Sequence, residues 1–275
     1  MSSSTKVLTA VPALLAAVLA VAATRPASSP AKVQQQTGVT LLRVPDGGIQ
    51  PQAAVDAKGV VHLIYFKGDP AHGDLFYVRS ADGGATFSKP VQANSKPGSA
   101  IAVGNIRGAR LAIGSGGRIH VAWNGSRDAE PKGPLGAPML YARSNDSGTA
   151  FEPERNVIHT AWGLDGGGAV AADAAGDVYV LWHAPTPGQK GEENRRVWIA
   201  RSTDGGKTFA AEKPAYDHPT GACGCCGLNA FADQHGSLYV LYRSATNVVN
   251  RDMYLLVSHN KGETFRGADI SRWNV

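Results

Sequence analysis

Four copies of one repeat, each roughly sixty residues long, occupy most of the chain and restrict its possible folds more than any other feature. The first half of each copy is an apolar stretch, a turn that ends in glycine, and a second stretch in which apolar residues alternate. The turn glycines lie 58, 59 and 60 residues apart, at Gly59, Gly117, Gly176 and Gly236. This regular spacing predicts a repeat architecture in which each copy forms the same unit.

The second half of each copy is a further apolar stretch, a polar turn and an aromatic residue, with the template S-x-D-x-G-x-T-F. The Asp position of the template holds Asp82, Asp146, Asp204 and, in the fourth copy, Asn260. An Asp or Asn side chain accepts hydrogen bonds from turn N–H groups, and glycine allows a positive φ. The template therefore predicts a β-hairpin turn in each copy, with a structural role for these four side chains.

Alternation with a period of two before each polar turn predicts β-strands. Four strands per repeat, repeated in register, predict an all-β fold: a β-propeller with four-stranded blades. His62 and His120 occupy the repeat position that holds Tyr179 and Tyr239 in the other copies. A position shared by every blade is more often used for packing, so we interpret both histidines as structural.

The four polar turns resemble the Asp-box (BNR) repeat of the sialidase superfamily, and the resemblance covers residues 38–265. Members of that superfamily with sialidase activity have six blades, and four are seen here. The resemblance therefore implies a sialidase-like propeller that is incomplete at its C-terminus, with residues 266–275 leading towards a fifth blade. The alternative is a four-bladed ring in which residues 39–44 pair with residues 270–275.

The same resemblance implies exo-α-sialidase or another glycoside hydrolase activity. Asp69 or Asp74 would then be the acid/base, and Arg243 would bind the anionic group of the sugar. Arg43 lies in a Leu-Arg-Val-Pro stretch that is similar to the first arginine motif of the superfamily but stands too early in the repeat. No Glu lies where the nucleophile pair requires one, near Gly227. This absence favours the alternative, a non-catalytic binding or assembly propeller.

The functional face can be predicted from topology, because the polar-turn end of each blade is uniform and the opposite end varies. Variable loops on a rigid scaffold usually carry function. Arginines and acids on these loops suit an anionic or sugar ligand. The candidate ligand-binding residues are Arg43, Arg107, Arg110 and Asp128, and further polar residues on this face are Asp165, His183, Glu192 and Arg195.

All three cysteines lie within four residues, at Cys223, Cys225 and Cys226, at the start of the inner strand of the fourth repeat. Three cysteines in an exported chain leave at least one unpaired. One interpretation is a disulfide, which oxidising compartments favour, with the partner of the third cysteine in a missing C-terminal part. The other is a thiolate metal site, with His218 or His183 as a further ligand. Soft sulfur ligands suit copper(I) or zinc, although C-x-C-C is not a usual zinc spacing. A metal-dependent protein is therefore a third functional hypothesis.

The N-terminal segment has the pattern of a secretory signal peptide: Lys6, then an apolar stretch, then small residues. We expect a signal peptide at 1–23, a linker at 24–37 and the propeller at 38–275, and hence a secreted or periplasmic protein whose mature part has no membrane span. The net charge is +5, but no run of five Lys or Arg occurs. The scattered charge argues against nucleic acid as a partner.

Overall fold

The computed structural model describes residues 38–39, 41–134 and 136–272, and the chain divides into two units between Leu41 and Leu42. All strands lie in the second unit, to which the following description applies. The predicted signal peptide and linker, 1–23 and 24–37, lie outside the described residues.

The second unit contains four antiparallel sheets of four strands each, in which neighbouring strands follow one another along the chain. This confirms the predicted four-stranded blades. Blade one consists of β1 (Ile49–Val55), β2 (Val61–Asp69), β3 (His72–Ser80) and β4 (Val91–Gln92). Blade two consists of β5 (Arg110–Ile113), β6 (Ile119–Asn124), β7 (Met139–Arg143) and β8 (Arg155–Asn156).

Blade three consists of β9 (Ala169–Ala172), β10 (Val178–Pro185), β11 (Arg195–Ser202) and β12 (Lys213–Pro214). Blade four consists of β13 (Leu228–Ala232), β14 (Leu238–Arg243), β15 (Met253–Ser258) and β16 (Arg266–Ser271). The first strand of every blade faces a shared central cavity of about 320 Å³, which residues from β1, β5, β9 and β13 line together. This common axis is the defining property of a propeller.

The chain also contains 3-10 helices at Pro45–Gly47, Ser115–Gly117 and Glu192–Asn194. Each has three residues, and within the described part of the chain no helix is long and apolar enough to cross a membrane.

The hydrophobic core lies between successive blades. Tyr77 and Trp123 belong to the cluster between blades one and two, and Tyr141 and Trp182 to the cluster between blades two and three. The two histidines that we interpreted as structural contact the tyrosines of these clusters. His62 Nδ1 lies 2.6 Å from the Tyr77 hydroxyl, and His120 Nδ1 lies 2.6 Å from the Tyr141 hydroxyl. Both histidines are buried, as their shared repeat position predicts.

The turn between the first two strands of each blade requires the glycine that the repeat predicts. Gly59, Gly117, Gly176 and Gly236 have φ values of 79°, 78°, 95° and 82°. Residues other than glycine rarely adopt this left-handed region, so the turn explains why glycine recurs at this position.

Three of the polar turns share one hydrogen-bond pattern. Asp82 Oδ1 accepts a hydrogen bond from the Thr86 N–H at 2.9 Å, and Asp82 Oδ2 accepts one from the Thr86 hydroxyl at 2.6 Å. Asp204 makes the same two bonds to Thr208, at 2.9 and 2.6 Å. Asn260 Oδ1 accepts from the Thr264 N–H at 3.0 Å.

The second polar turn differs from the template. Asn145 Oδ1, one residue earlier, accepts the hydrogen bond from the Thr149 N–H at 2.9 Å. The Asp146 side chain is 91 % exposed and forms an ion pair with Arg118. The predicted structural role of Asp146 is therefore wrong for the turn itself, because the Ala150 that replaces Thr offers no hydroxyl to the carboxylate.

The residues after the fourth polar turn form β16 and pair with β15, from Val257↔Arg266 to Met253↔Ser271. The interpretation of this stretch as a link towards a further blade is wrong for residues 266–271. They complete blade four as its outer strand, whereas the outer strands of the other blades have two residues each. Asp269 and Ser271 therefore pair within their own blade, and the described part of residues 39–44 lies outside the strands.

Candidate functional site

Loops from three blades meet at the variable end of the propeller. They comprise residues 104–108 before β5, residues 165–168 before β9 and residues 222–227 before β13. Ile106 of the first loop lies against glycines of the other two: a Cβ at Gly167 would collide with Ile106 O, and one at Gly227 would lie 3.4 Å from Ile106 Cβ. These loops, with the charged residues that contact them, form what we call the three-loop site.

Ion pairs connect the loops. Asp165 joins two arginines, Arg107 Nη2 at 2.6 Å and Arg195 Nη2 at 2.7 Å. Arg195 Nη1 also lies 2.8 Å from Glu192 Oε1, and the other oxygen of Glu192 pairs with Arg251. The chain Arg107–Asp165–Arg195–Glu192–Arg251 thus joins blades two, three and four.

Glycine allows the cysteine loop to approach this chain of ion pairs closely. A Cβ at Gly224 would lie 2.6 Å from both Arg195 Nη1 and Asp165 Oδ2. Because Gly224 has no Cβ, its loop can come close enough for the Gly224 N–H to donate a hydrogen bond to Glu192 Oε1 at 3.1 Å. The backbone of the cysteine loop is therefore anchored on a carboxylate of blade three.

The two carboxylates are ionised. Burial raises the pKa of Asp165, but the hydrogen bond from Arg107 and the charge of Arg195 outweigh it and hold the pKa below its usual range. For Glu192, the effect of burial is likewise outweighed by Arg251 and the Gly224 N–H. With Arg110 and Arg243, the three-loop site holds five arginines against two carboxylates, which leaves an excess of three positive charges.

Arg110 differs from the other arginines of the site. It is the first residue of β5, and among the described residues it forms no ion pair. Its Nε is buried without a hydrogen-bond partner, and burial lowers the pKa of its guanidinium. A partly buried guanidinium without a carboxylate is costly to maintain unless a ligand supplies the negative charge.

The three cysteine sulfurs form a compact triangle. Cys223 Sγ lies 2.9 Å from Cys226 Sγ and 3.2 Å from Cys225 Sγ, and the remaining pair is 3.7 Å apart. Cys223 is buried, Cys226 is half-buried and Cys225 is exposed. All three thiols are free, and because Cys225 is exposed, the triangle is accessible from solvent on that side.

An arginine lies against the thiols. Arg243 Nη1 is 3.5 Å from Cys226 Sγ, and Arg243 Nε donates to Arg251 O at 2.9 Å. Burial raises the pKa of Cys223. Burial also acts on Cys226, but the hydrogen bonds from Cys223 and Arg243 outweigh it, so the pKa of Cys226 lies below its usual range. Of Cys223 and Cys226, Cys226 is therefore the thiol that ionises more readily.

The structure does not bring the predicted hydrolytic residues together. Asp69 is exposed in the β2–β3 hairpin and accepts a hydrogen bond from the Ala71 N–H. Asp74 Oδ1 accepts hydrogen bonds from Asn94 Nδ2 at 2.7 Å and from the Gly98 N–H at 2.8 Å, within blade one. Arg243 lies in blade four, where it contacts the thiols.

Of the other predicted site residues, Arg107 and Arg110 lie in the three-loop site, whereas Asp128 and Arg43 are exposed elsewhere. His218 is exposed and stacks near Tyr216, with ring centroids 4.8 Å apart. The one group of potential metal-binding atoms within 4.8 Å of one another, among the described residues, contains the three cysteines without a histidine. His218 is therefore not part of the thiol cluster.

His183 is fully buried on β10, and within the described structure neither of its ring nitrogens has a hydrogen-bond partner. Burial lowers its pKa to about 4, so the imidazole is neutral at pH 7. Its ring lies edge-on to Tyr242, at a centroid distance of 6.2 Å. His183 thus packs beneath the site and lies outside the thiol cluster.

The sequence interpretation missed Arg251, which pairs with Glu192. It lies between β14 and β15, and this connection belongs to the variable end. Its position in the repeat therefore placed it on the correct face. Its partner could not be read from the sequence, because Glu192 lies in another blade.

No protein-family model and no curated protein sequence matches this chain. Among solved structures, it is similar to a protein of unknown function from Dyadobacter fermentans DSM 18053, with 16 % identity, a TM-score of 0.54, and coverage of 80 % of this chain and 68 % of that one.

It is also similar to a Trypanosoma rangeli sialidase in complex with the inhibitor DANA, with 15 % identity and a TM-score of 0.52, over 80 % of this chain and 37 % of that one. The third is a Penicillium chrysogenum α-L-arabinanase complexed with arabinobiose, with 13 % identity and a TM-score of 0.51, over 81 % and 65 %. The chain has a sialidase-like propeller fold. It spans about two thirds or less of these proteins' own length.

Proposed function

We propose that this chain is an exported propeller that binds an acidic glycan at the three-loop site. The observation that carries the proposal is the partly buried guanidinium of Arg110, which has no ion-pair partner among the described residues. Export is supported by the signal-peptide pattern of the N-terminal sequence.

The surroundings of Arg110 support an anionic ligand. Arg107 and Arg195 are already paired with Asp165, so their charges are largely offset within the protein. Arg110 adds a positive charge that no ion pair in the described chain offsets. A guanidinium presents paired N–H groups that match the oxygens of a carboxylate or sulfate.

The sugar part of the proposal is supported by the fold. Two solved structures with this fold are a sialidase and an arabinanase, the latter complexed with arabinobiose. Because fold alone does not determine activity, we infer the class of glycan from the charge of the site, which favours an acidic sugar.

Binding is better supported than hydrolysis. Most glycoside hydrolases use two carboxyl groups on either side of one glycosidic bond, and sialidases, which use a Tyr nucleophile, still need an acidic residue as acid/base. Asp74 has its Oδ1 occupied by two hydrogen bonds in blade one, and both carboxylates of the three-loop site, Asp165 and Glu192, are held in ion pairs. These contacts suit a rigid binding surface.

The experiment is calorimetric titration of the purified mature protein with sialyllactose and with oligogalacturonate, using lactose as the neutral comparison. We expect the acidic sugars to bind and lactose not to bind. Arg110→Ala should weaken binding by roughly 10- to 100-fold, the usual value of a charge-assisted hydrogen bond. Arg110→Lys should keep part of the affinity, because it retains the charge but loses the paired geometry.

The matched control is Arg266→Ala, which removes an exposed arginine from β16 of blade four. It changes the net charge by the same amount and should leave binding unchanged. Equal losses in the two variants would attribute the effect to net charge rather than to the site. Absence of binding to any acidic sugar would refute the proposal, and release of product from a fluorogenic sialoside would replace it with hydrolysis.

A further inference from the structure

We propose that Cys223, Cys225 and Cys226 bind one copper(I) ion in a three-coordinate thiolate site. This inference concerns a different set of atoms from the glycan proposal, which rests on Arg110. It is carried by the triangle of sulfurs, by the absence of a fourth ligand in the described structure and by the arginines beside the thiols.

The geometry suits one ion. The three Sγ atoms are 2.9, 3.2 and 3.7 Å apart, so they can contact a single centre. With a metal–thiolate distance of about 2.3 Å, an ion that contacts all three sulfurs lies roughly 1.3 Å out of the plane of this triangle, in a pyramidal three-coordinate position. The turn in which the Cys226 N–H donates to Cys223 O at 3.4 Å brings the third sulfur back to the first two.

The number of ligands favours copper(I) over zinc. Structural zinc sites are almost always tetrahedral with four protein ligands. Within the described residues, no His, Asp or Glu atom joins the three sulfurs within 4.8 Å. Thiolates select soft ions, and a monovalent copper ion is satisfied by three of them.

The charge around the thiols also favours a monovalent ion. Three thiolates and one copper(I) ion carry two negative charges in total. Arg243 Nη1 lies 3.5 Å from Cys226 Sγ, and Arg251 interacts electrostatically with Cys223 and Cys225. Arg243 offsets part of this charge, and Arg251, which is also paired with Glu192, adds a second positive charge nearby. Binding releases the thiol protons to solvent and leaves the oxidation state of the copper and the sulfurs unchanged.

Access and support complete the site. Cys225 is exposed, so an ion can reach the sulfurs from solvent, while Cys223 is buried and fixed by its N–H, which donates to Arg243 O at 2.9 Å. The loop is further held by the Gly224 N–H on Glu192. A fixed loop lowers the cost of bringing three negative sulfurs together.

The test uses the mature protein, reduced and handled without oxygen, and titrated with copper(I) in competition with a chromogenic copper(I) chelator. We expect one equivalent to bind, with only sulfur neighbours in the X-ray absorption spectrum. Cys225→Ser changes an exposed residue, so the fold should persist, and it should weaken binding by at least about a hundredfold. This exceeds the 10- to 100-fold effect typical of a residue that only supports a ligand.

The matched control is His218→Ala, which removes the nearest sequence candidate for a further ligand and should keep full affinity. Loss of binding in that variant, or a nitrogen neighbour in the spectrum, would overturn the three-sulfur site. Tighter binding of zinc than of copper(I) would also overturn it. A third contrary outcome combines two results. The reduced protein fails to bind copper(I), and alkylation with mass spectrometry finds a disulfide between Cys223 and Cys226 in the protein purified without reductant.

Discussion

The Asp or Asn side chain of a polar turn stabilises the turn by accepting hydrogen bonds, and its negative charge matters less for this role. Asp204 accepts backbone hydrogen bonds from Lys207 and Thr208, each at 2.9 Å. Asn260 at the same repeat position accepts from the Thr264 N–H through its neutral amide oxygen, at 3.0 Å. The chain therefore contains its own comparison between a charged and a neutral side chain in one turn.

From this comparison we predict that Asp204→Ala lowers the free energy of unfolding by about 1 kcal/mol, the usual cost of losing a side chain that accepts backbone hydrogen bonds at a chain reversal. Asp204→Asn should cost clearly less, because the amide oxygen can replace the carboxylate oxygen. Denaturant unfolding of both variants measures the difference. Equal losses would show that charge, and not hydrogen bonding, matters at this position.

At the same scale, the sequence predicted several residues of the site but not their contacts. The spacing of Cys223, Cys225 and Cys226 placed three thiols on one loop, and the structure brings their sulfurs together. The contacts of Arg251 and Asp146 depend on residues from other parts of the fold, and the repeat template carries no information about them.

At the scale of elements, blades two and three each use one glutamate to bind the loop that follows the outer strand of the preceding blade. Glu154, three residues after the aromatic residue of the second polar turn, accepts the Ser95 N–H at 2.6 Å in the loop after β4. Glu212, three residues after the third aromatic, accepts the Thr160 and Ala161 N–H groups, each at 2.6 Å, in the loop after β8. Ala268 occupies this position in blade four.

We predict that Glu212→Ala lowers the free energy of unfolding by about 1–3 kcal/mol, because it leaves the buried Ala161 N–H without an acceptor. Glu212→Gln should lose less, since its amide oxygen can still accept. Denaturant titration measures both, and Glu193→Ala, at an exposed position of the 3-10 helix before β11, is the control. A loss in Glu212→Ala no larger than in this control would refute the role of Glu212.

The same contact has a pH dependence. Burial raises the pKa of Glu212, but the hydrogen bonds from Ala161, Thr160 and His159 outweigh it, so the pKa in the folded protein lies below the ordinary value. The unfolded state therefore binds the proton first as the pH falls. The stability that Glu212 contributes is therefore fully present above the pKa of its carboxyl group in the unfolded state, and it is lost as the pH falls through the pKa of that group in the folded state. The decrease in the free energy of unfolding at acidic pH should be smaller in Glu212→Ala.

The elements themselves were the most predictable part of the protein. Period-two alternation and the turn glycines located the inner strands, since both follow from local backbone physics. The outer strand of blade four was not recognised. The outer strands of the other blades contain two residues each, so the repeat offered no pattern for a six-residue strand at Arg266–Ser271.

At the scale of the whole molecule, the two end blades differ in what covers their outer faces. Val44, from the segment before β1, packs against Leu63, Tyr65 and Val78 of blade one. The face of blade four that points away from blade three carries Phe231, which is 64 % exposed, and Leu241, which is 38 % exposed. The register pairs Phe231 with Tyr239 and Leu241 with Leu255, so these side chains form one continuous apolar surface.

An exposed apolar sheet face favours association, and we therefore predict that Leu241→Thr reduces self-association of the purified chain, measured by sedimentation velocity at several concentrations. Its free energy of unfolding should change by no more than about 0.5 kcal/mol, because the side chain is already partly in water. The matched control is Val240→Thr on the same strand. Val240 is fully buried against blade three, so this change should cost about 1–3 kcal/mol without reducing association. Unaltered association in Leu241→Thr would mean that blade four is not the surface through which copies of the chain meet.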